Sequence, residues 1–290
     1  MVRPLRLDVP GGIAHVTARG NNRAAILRLP EHRDRLVELL AAVVRRYGWV
    51  CHAYVVMHNH FHLLVETPLP NLSLGMRQLN GLYAQWFNRR HTRSGHVFGG
   101  RFGSIAVADD EHFLRAARYV VLNPLRTKRP QNFVDWRWSS YQATAGIAPC
   151  PRFLTVDGVL GRFSDNRTRA RERYVEFVAE GIEDALREQL VGEIYLGDEA
   201  FIRELMPNEP VAEVSRIQWQ PLRPSLEQLC REPAGLLDAY RRYGYRLREI
   251  GAHLGVHPAT VSRAVARLEH AEAARTVSDP AAAAAGEPGG

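Results

Sequence analysis

The chain is expected to be an α+β protein: a mixed N-terminal domain, a helical region, and a small all-α module. Three observations predict this. Short apolar runs with strand character (Gly12–Thr17, Trp49–Glu66, Ser104–Ala108) alternate with amphipathic runs of helical period (Glu31–Tyr47, Leu72–Arg90, Asp110–Asn123). Beyond Pro151 the pattern is helical and acidic. Near the C-terminus a helix, a glycine turn and a second helix follow one another.

Each element has its own local reason. GIAHVT alternates weakly and reads as a first strand, followed by the polar turn Arg19-Gly20-Asn21-Asn22-Arg23. Leu36, Leu39, Leu40, Val43 and Val44 recur at helical spacing with a charged opposite face. Trp49–Glu66 is one long strand or a hairpin of two, ended by Pro68 and Pro70. Leu72, Met76, Leu79, Leu82, Tyr83 and Trp86 mark the inner side of the next helix. GHVFGGRFG (Gly95–Gly103) is a glycine-rich basic loop, Ser104–Ala108 a further strand, and Asp110–Asn123 a helix stopped by Pro124. Later helices are expected over roughly 166–189 and 197–206. The predicted organisation is a mixed α+β domain over 1–150, an acidic helical linker over 151–224, a small helical module over 225–274, and a disordered tail over 275–290, where SDPAAAAAGEPGG has little to bury.

Charge is uneven. Residues 1–150 hold 20 Lys and Arg against 9 Asp and Glu, a net +11, whereas 151–235 hold 11 against 16, a net −5. Lys128 is the sole lysine, so the basic surface is arginine, which suits bidentate phosphate contacts. A basic segment of this kind points to a polyanionic partner. No apolar run approaches the roughly 18–20 residues of a membrane span, and MVRPLRLDVPGG lacks the apolar core of a secretion signal. Cys51, Cys150 and Cys230 are widely spaced with no CxxC, which argues against a disulfide frame or zinc cluster. A cytoplasmic, nucleoid-associated protein is expected.

The chemistry concentrates in Val55-Val56-Met57-His58-Asn59-His60-Phe61-His62-Leu63-Leu64-Val65. In a single strand His58, His60 and His62 leave on one side, and Met57, Phe61, Leu63 and Val65 on the other as core. Alternating imidazoles suit a divalent metal, but the row alone does not choose between a hydrolase, an oxygenase and a nuclease. Tyr119 and Asn123 are four apart on the helix RAARYVVLNP and share a face. Asn123 precedes Pro124 at the helix end, so its amide is expected to turn outward.

MHNHFH, YVVLNPLR and the opening HVTARGNNRAAIL together resemble the REP-associated tyrosine transposases, relatives of the single-tyrosine HUH transposases of small insertion sequences. GHVFGGRFGSI and DWRWSSYQA add to the likeness, which spans about residues 8–145. The resemblance implies a ferredoxin-like antiparallel sheet flanked by helices, with the histidines facing a tyrosine-bearing helix. It implies His60 and His62 as the pair that binds Mg²⁺ or Mn²⁺, Asn123 as the amide completing the shell, and Tyr119 as the nucleophile. His58 lies outside the pair, as a second-shell or DNA-contacting residue. Family members often carry His two residues after the tyrosine, where this chain has Val121. The implied substrate is single-stranded or hairpin DNA of repetitive palindromic elements, with a monomer favoured over a dimer. Arg19, Arg23, Arg101 and Arg118 are the expected phosphate contacts.

The segment 245–265 (YRLREIGAHLGVHPATVSRAV) resembles the helix-turn-helix of replication initiators and regulators. Leu247, Ile250, Leu254, Val256, Val261 and Val265 supply its expected core, and Gly255 its turn. His257, Thr260, Arg263 and Arg267 then face duplex DNA. The expected activity is that of a transposase: metal-dependent cleavage and rejoining of single-stranded DNA through a 5′-phosphotyrosine. The competing readings are a catalytically silent DNA-binding regulator and a small-molecule metallohydrolase, the latter leaving the helix-turn-helix unexplained.

Overall fold

A computed structural model describes residues 8–108, 111–126, 132–181, 190–207 and 214–278. The described residues form two compact units, one ending at Leu205 and the other beginning at Met206. Among the described residues no helix is long and apolar enough to cross a membrane.

The first unit begins β1 (Gly12–Arg19), α1 (Pro30–Tyr47), β2 (Val50–Val56), β3 (His60–Thr67), α2 (Leu72–Arg90), β4 (Gly103–Val107) and α3 (Glu111–Val121). Its sheet has the order β2-β3-β1-β4, with every one of these neighbours antiparallel. This is the ferredoxin-like arrangement: two split βαβ units interleaved, with β3 of the second lying between β2 and β1 of the first, and β1 between β3 and β4. Trp49–Glu66 is therefore a hairpin. Met57 N–H donates to the His60 carbonyl, closing a turn that holds His58 and Asn59. A single alternating strand is thus ruled out for His58, because the chain reverses there.

Local chemistry sets the helix ends. α1 starts on Pro30 and stops at Gly48, whose φ of 67° is the left-handed cap that glycine adopts without strain. At the start of α2, the backbone N–H groups of Leu72 and Ser73 donate to the Asp8 carboxylate at 2.9 and 3.2 Å. Those donors have no intrahelical partner, so the carboxylate satisfies them at the positive end of the helix. Gly75 lets α2 approach Trp49, since a Cβ there would stand 2.1 Å from the indole. Leu82 is exposed while Phe87 is buried, so the inner face of α2 runs Leu72, Met76, Leu79, Tyr83, Phe87.

The remainder of this unit covers the sheet edges. α4 (Tyr141–Ala145), α5 (Asp157–Leu160), α6 (Arg167–Glu180), β5 (Tyr195–Leu196) and α7 (Glu199–Leu205) follow in order. β5 pairs in parallel with β4. On the opposite edge the Val56 N–H donates to the Trp138 carbonyl and the Thr155 N–H to the Cys51 carbonyl, so neither edge is left as an open template. The stretch up to 205, expected to belong to a linker, instead enters the main core through Leu154, Val159, Ala170, Tyr174, Val178 and Leu196. Ala170, Tyr174 and Val178 are four apart on α6, which explains the inward face. Residues 182–189, in the expected 166–189 helix, lie outside the described residues.

The second unit holds α8 (Arg216–Trp219), α9 (Leu226–Leu229), α10 (Pro233–Arg241), α11 (Leu247–Leu254) and α12 (Pro258–Ser278). Ala239, Ile250, Val261 and Val265 form its core. Leu254 and Val256, expected inside, are exposed, because the turn at Gly255 (φ 66°) swings them outward. Gly251 is needed at the corner: a Cβ there would lie 2.7 Å from the Val256 carbonyl oxygen. α12 runs on to Ser278, into the expected tail, along the alanine-rich EAAR stretch that favours helix.

Candidate active site

β1 and β3 pair with Thr17 opposite His62 and Arg19 opposite His60. Parity then places His15, Thr17, Arg19, His60 and His62 on one face of the sheet. α3 packs on that face: the Tyr119 ring stands 5.8 Å from the His62 ring and 5.4 Å from the His15 ring, edge-on to both. The His60 and His62 rings are 5.0 Å apart. Four aromatic side chains from three elements therefore meet, with Tyr119 only partly buried.

Both predicted metal ligands engage the protein through Nδ1. His60 Nδ1 lies 2.7 Å from Asn59 Oδ1, and the Asn59 amide is oriented by its Nδ2–H, which donates to the Arg23 carbonyl at 3.0 Å. His62 Nδ1 lies 2.8 Å from His15 Nε2 and 2.9 Å from Thr17 Oγ1. In each ring Nε2 is the nitrogen that a cation would take. Burial pushes the His60 pKa down to about 4, with the positive Arg19 and His58 adding to it, so the ring is neutral as a ligand must be. The donor set fits a divalent ion held by two imidazoles. Among the described residues no three His, Cys, Asp or Glu side chains converge as a metal cage, so further ligands would be water, phosphate oxygen or an amide.

Asn123 departs from its expected orientation. It is buried, and its Nδ2–H donates to the Tyr119 carbonyl at 2.8 Å. The amide closes the helix end, where carbonyls lack intrahelical donors, and Oδ1 is the atom left to turn toward a metal. His58 does not back a ligand histidine: it lies at the exposed hairpin turn, its ring 5.5 Å from Trp136, where partial desolvation, then Arg33 and Arg28, lower its pKa.

Of the four expected phosphate contacts, three come together. Arg19, Arg23 and Arg101 line a groove of about 470 Å³ with Thr17, Gly20, Asn21, Asn22, Gly99 and Gly103. Its walls are tied by backbone bonds: Gly20 N–H to the Asn59 carbonyl, Asn21 N–H to the Val97 carbonyl, and Gly99 N–H to the Arg19 carbonyl. Gly99 permits this, since a Cβ would meet the Asn21 backbone at 3.3 Å. Arg118 is the exception. It is buried, donates to the Phe177 carbonyl at 3.0 Å and stacks on the Phe177 ring at 4.1 Å, so it joins α3 to α6 and does not face a ligand.

Three residues escaped the sequence reading. His15 and Thr17 had a signal: with Arg19 they form a period-two polar face in β1, mirroring His60 and His62. Arg126 had none; the turn after Asn123 brings its guanidinium over the Tyr119 ring at 4.8 Å. In the second unit His257, Thr260, Arg263 and Arg267 are all exposed at the start of α12, and His257 Nδ1 accepts from the Ala259 N–H at 3.2 Å.

A ferredoxin-like sheet with paired imidazoles under a helix-borne tyrosine, beside an arginine groove, has the layout of a DNA-processing transposase domain. Residues 9–122 match the family described as "Transposase IS200 like", so this domain is similar to that family. Among solved structures, one of a REP-associated tyrosine transposase bound to a REP hairpin is similar to it, at 21% identity and a TM-score of 0.44, covering 51% of this chain and 89% of that one. No curated protein matches the chain.

Proposed function

We propose that this chain is a transposase of the REP-associated kind, which cleaves and rejoins single-stranded DNA beside a hairpin with Tyr119 as the nucleophile. The observation that carries the reading is the position of Tyr119, edge-on to His62 at 5.8 Å, over the face that also presents His60. A phenol is a weak nucleophile until the phosphate beside it is positioned and polarised. A divalent cation, Mg²⁺ or Mn²⁺, held by His60 and His62 with Asn123 Oδ1 as a further donor, would act as a Lewis acid toward the scissile phosphate.

The chain's own residues do the rest. Arg19, Arg23 and Arg101 bind the phosphates leading to the site and hold the strand unpaired in their groove. Arg126 stacks on Tyr119 and limits its ring to the attacking orientation. The Tyr119 oxygen attacks phosphorus in line, the phenol proton leaves to solvent, and the bond from phosphorus to the 3′ oxygen breaks. The products are a 5′-phosphotyrosine and a protonated 3′-hydroxyl. Attack by another 3′-hydroxyl reverses the step and joins strands. The meeting of His60, His62 and Tyr119 within one chain supports a site that a monomer completes. α10–α12 act as a helix-turn-helix that places Thr260, Arg263 and Arg267 on duplex DNA.

The test is a 5′-flanked hairpin oligonucleotide, labelled on its 3′ side, incubated with the full chain and Mn²⁺. A denaturation-resistant protein–DNA adduct is expected, absent in Tyr119→Phe. Hairpin binding without any adduct in the unaltered chain would instead favour a silent DNA-binding regulator.

A further inference from the structure

His62 Nδ1 has two neighbours in hydrogen-bond range, His15 Nε2 at 2.8 Å and Thr17 Oγ1 at 2.9 Å. The geometry separates their roles. The His15 and His62 rings lie 12° from parallel with centroids 5.1 Å apart. That separation exceeds the nitrogen–nitrogen distance by about the sum of two ring radii. The two imidazoles therefore meet edge to edge in one plane, with the nitrogens on the line between them. An N–H bond of an imidazole lies in the ring plane, and so does the lone pair of the acceptor nitrogen, so this is close to the best alignment such a pair can have.

We propose that His15 is a positioning residue that fixes the tautomer of His62: His15 Nε2 accepts the His62 Nδ1–H, which leaves the His62 Nε2 lone pair aimed at the cation. This rests on the reading of His60 and His62 as metal ligands and extends it to a residue outside the histidine row. The same device serves His60, where an oriented Asn59 carbonyl oxygen stands 2.7 Å from Nδ1. An outer acceptor of this kind orients the ring and selects the nitrogen offered to the metal. His15 is well placed to act on both partners, since its ring also meets Tyr119 edge-on at 5.4 Å. The two residues are 47 apart in sequence and are brought together by the β1–β3 register.

The experiment measures Mn²⁺ affinity of the full chain by electron paramagnetic resonance, and reads the His62 tautomer in the metal-free chain from its ring ¹⁵N shifts. His15→Phe keeps a planar ring but removes the acceptor. It is expected to lower Mn²⁺ affinity about 10–100-fold, the usual effect of losing an outer-shell partner, and to shift His62 away from the Nδ1–H form. His15→Gln, whose side-chain oxygen can take the place of Nε2, is expected to restore both. Thr17→Val is expected to leave both as they are. Mn²⁺ affinity and ¹⁵N shifts unchanged in folded His15→Phe overturn the proposal. So does a loss in Thr17→Val with His15→Gln unaffected, which would make Thr17 the acceptor. If His15→Phe does not fold, the ring ¹⁵N shifts of the unaltered metal-free chain decide: His62 protonated at Nδ1 is expected, and His62 protonated at Nε2 overturns the proposal. Failure of the unaltered chain to bind Mn²⁺ overturns the underlying metal-site reading itself.

Discussion

β1 and β3 turn two faces of unlike chemistry to their surroundings. One carries Ala14, Val16, Ala18, Phe61, Leu63 and Val65, apolar throughout and none more than 5% exposed. The Phe61 ring reaches Tyr83 of α2 by way of Phe98, with ring separations of 6.2 and 5.9 Å. The other carries His15, Thr17, Arg19, His60 and His62 under α3. Burying polar rings is unfavourable unless they are hydrogen-bonded, and a sheet needs only apolar packing to hold a helix. The polar face thus meets each imidazole with a designated partner, which a purely structural surface has no reason to do. One set of strands serves as core on one side and presents a hydrogen-bonded polar cluster on the other.

The contrast can be broken from either side. Tyr119→Phe should have the largest effect on chemistry, abolishing the covalent adduct on denaturing gels while leaving the urea unfolding midpoint where it was. Adduct persisting in this variant would remove the nucleophile from the polar face. Phe61→Ala should act in the opposite sense, costing about 3–5 kcal/mol of stability by leaving a cavity. Adduct formation should continue at temperatures where the variant is folded; a stability loss below 1 kcal/mol would show that this face is not the tight core described. Arg101→Ala should weaken single-strand binding and reduce the slope of log affinity against log salt by about 1, the loss of one phosphate contact. An unchanged slope would place DNA outside the groove.

The smallest expected effect concerns His32, where α1 meets the end of α2. His32 is buried against Trp86, Phe87 and His91, and burial, followed by His91, lowers its pKa from the ordinary 6.5. The folded chain therefore binds this proton more weakly than the unfolded chain. The stabilising contribution is complete above the unfolded value and is lost as pH falls from about 6.5 toward the lowered folded value. His32→Phe should reduce the drop in urea stability between pH 7.5 and 5. An identical drop in both proteins would assign the pH dependence elsewhere.

Much of the fold was legible because its signals are local. Leu36, Leu39, Leu40, Val43 and Val44 were readable as the inner face of α1 from spacing, and all are buried. His60 and His62 were readable as sharing a side because alternation within one strand decides it. His58 was misjudged because the same alternation continues on paper through a turn, and whether a run bends depends on which strand pairs with which. The orientations expected of Arg118 and Asn123 differ from those found for a related reason. Helical spacing says which residues share a face, but only docking says whether α6 covers Arg118 or whether the Asn123 amide bonds back to its own helix.

By itself, then, the sequence determined the α+β class, the strand and helix periods, the two-histidine pair and the tyrosine-bearing helix. Each of these follows from backbone geometry acting over a few residues. Tertiary structure decided that His15 meets His62, that Arg126 covers Tyr119, and that residues 154–205 complete the main core. Those contacts depend on strand register and helix docking between segments far apart in the chain, which no local period specifies.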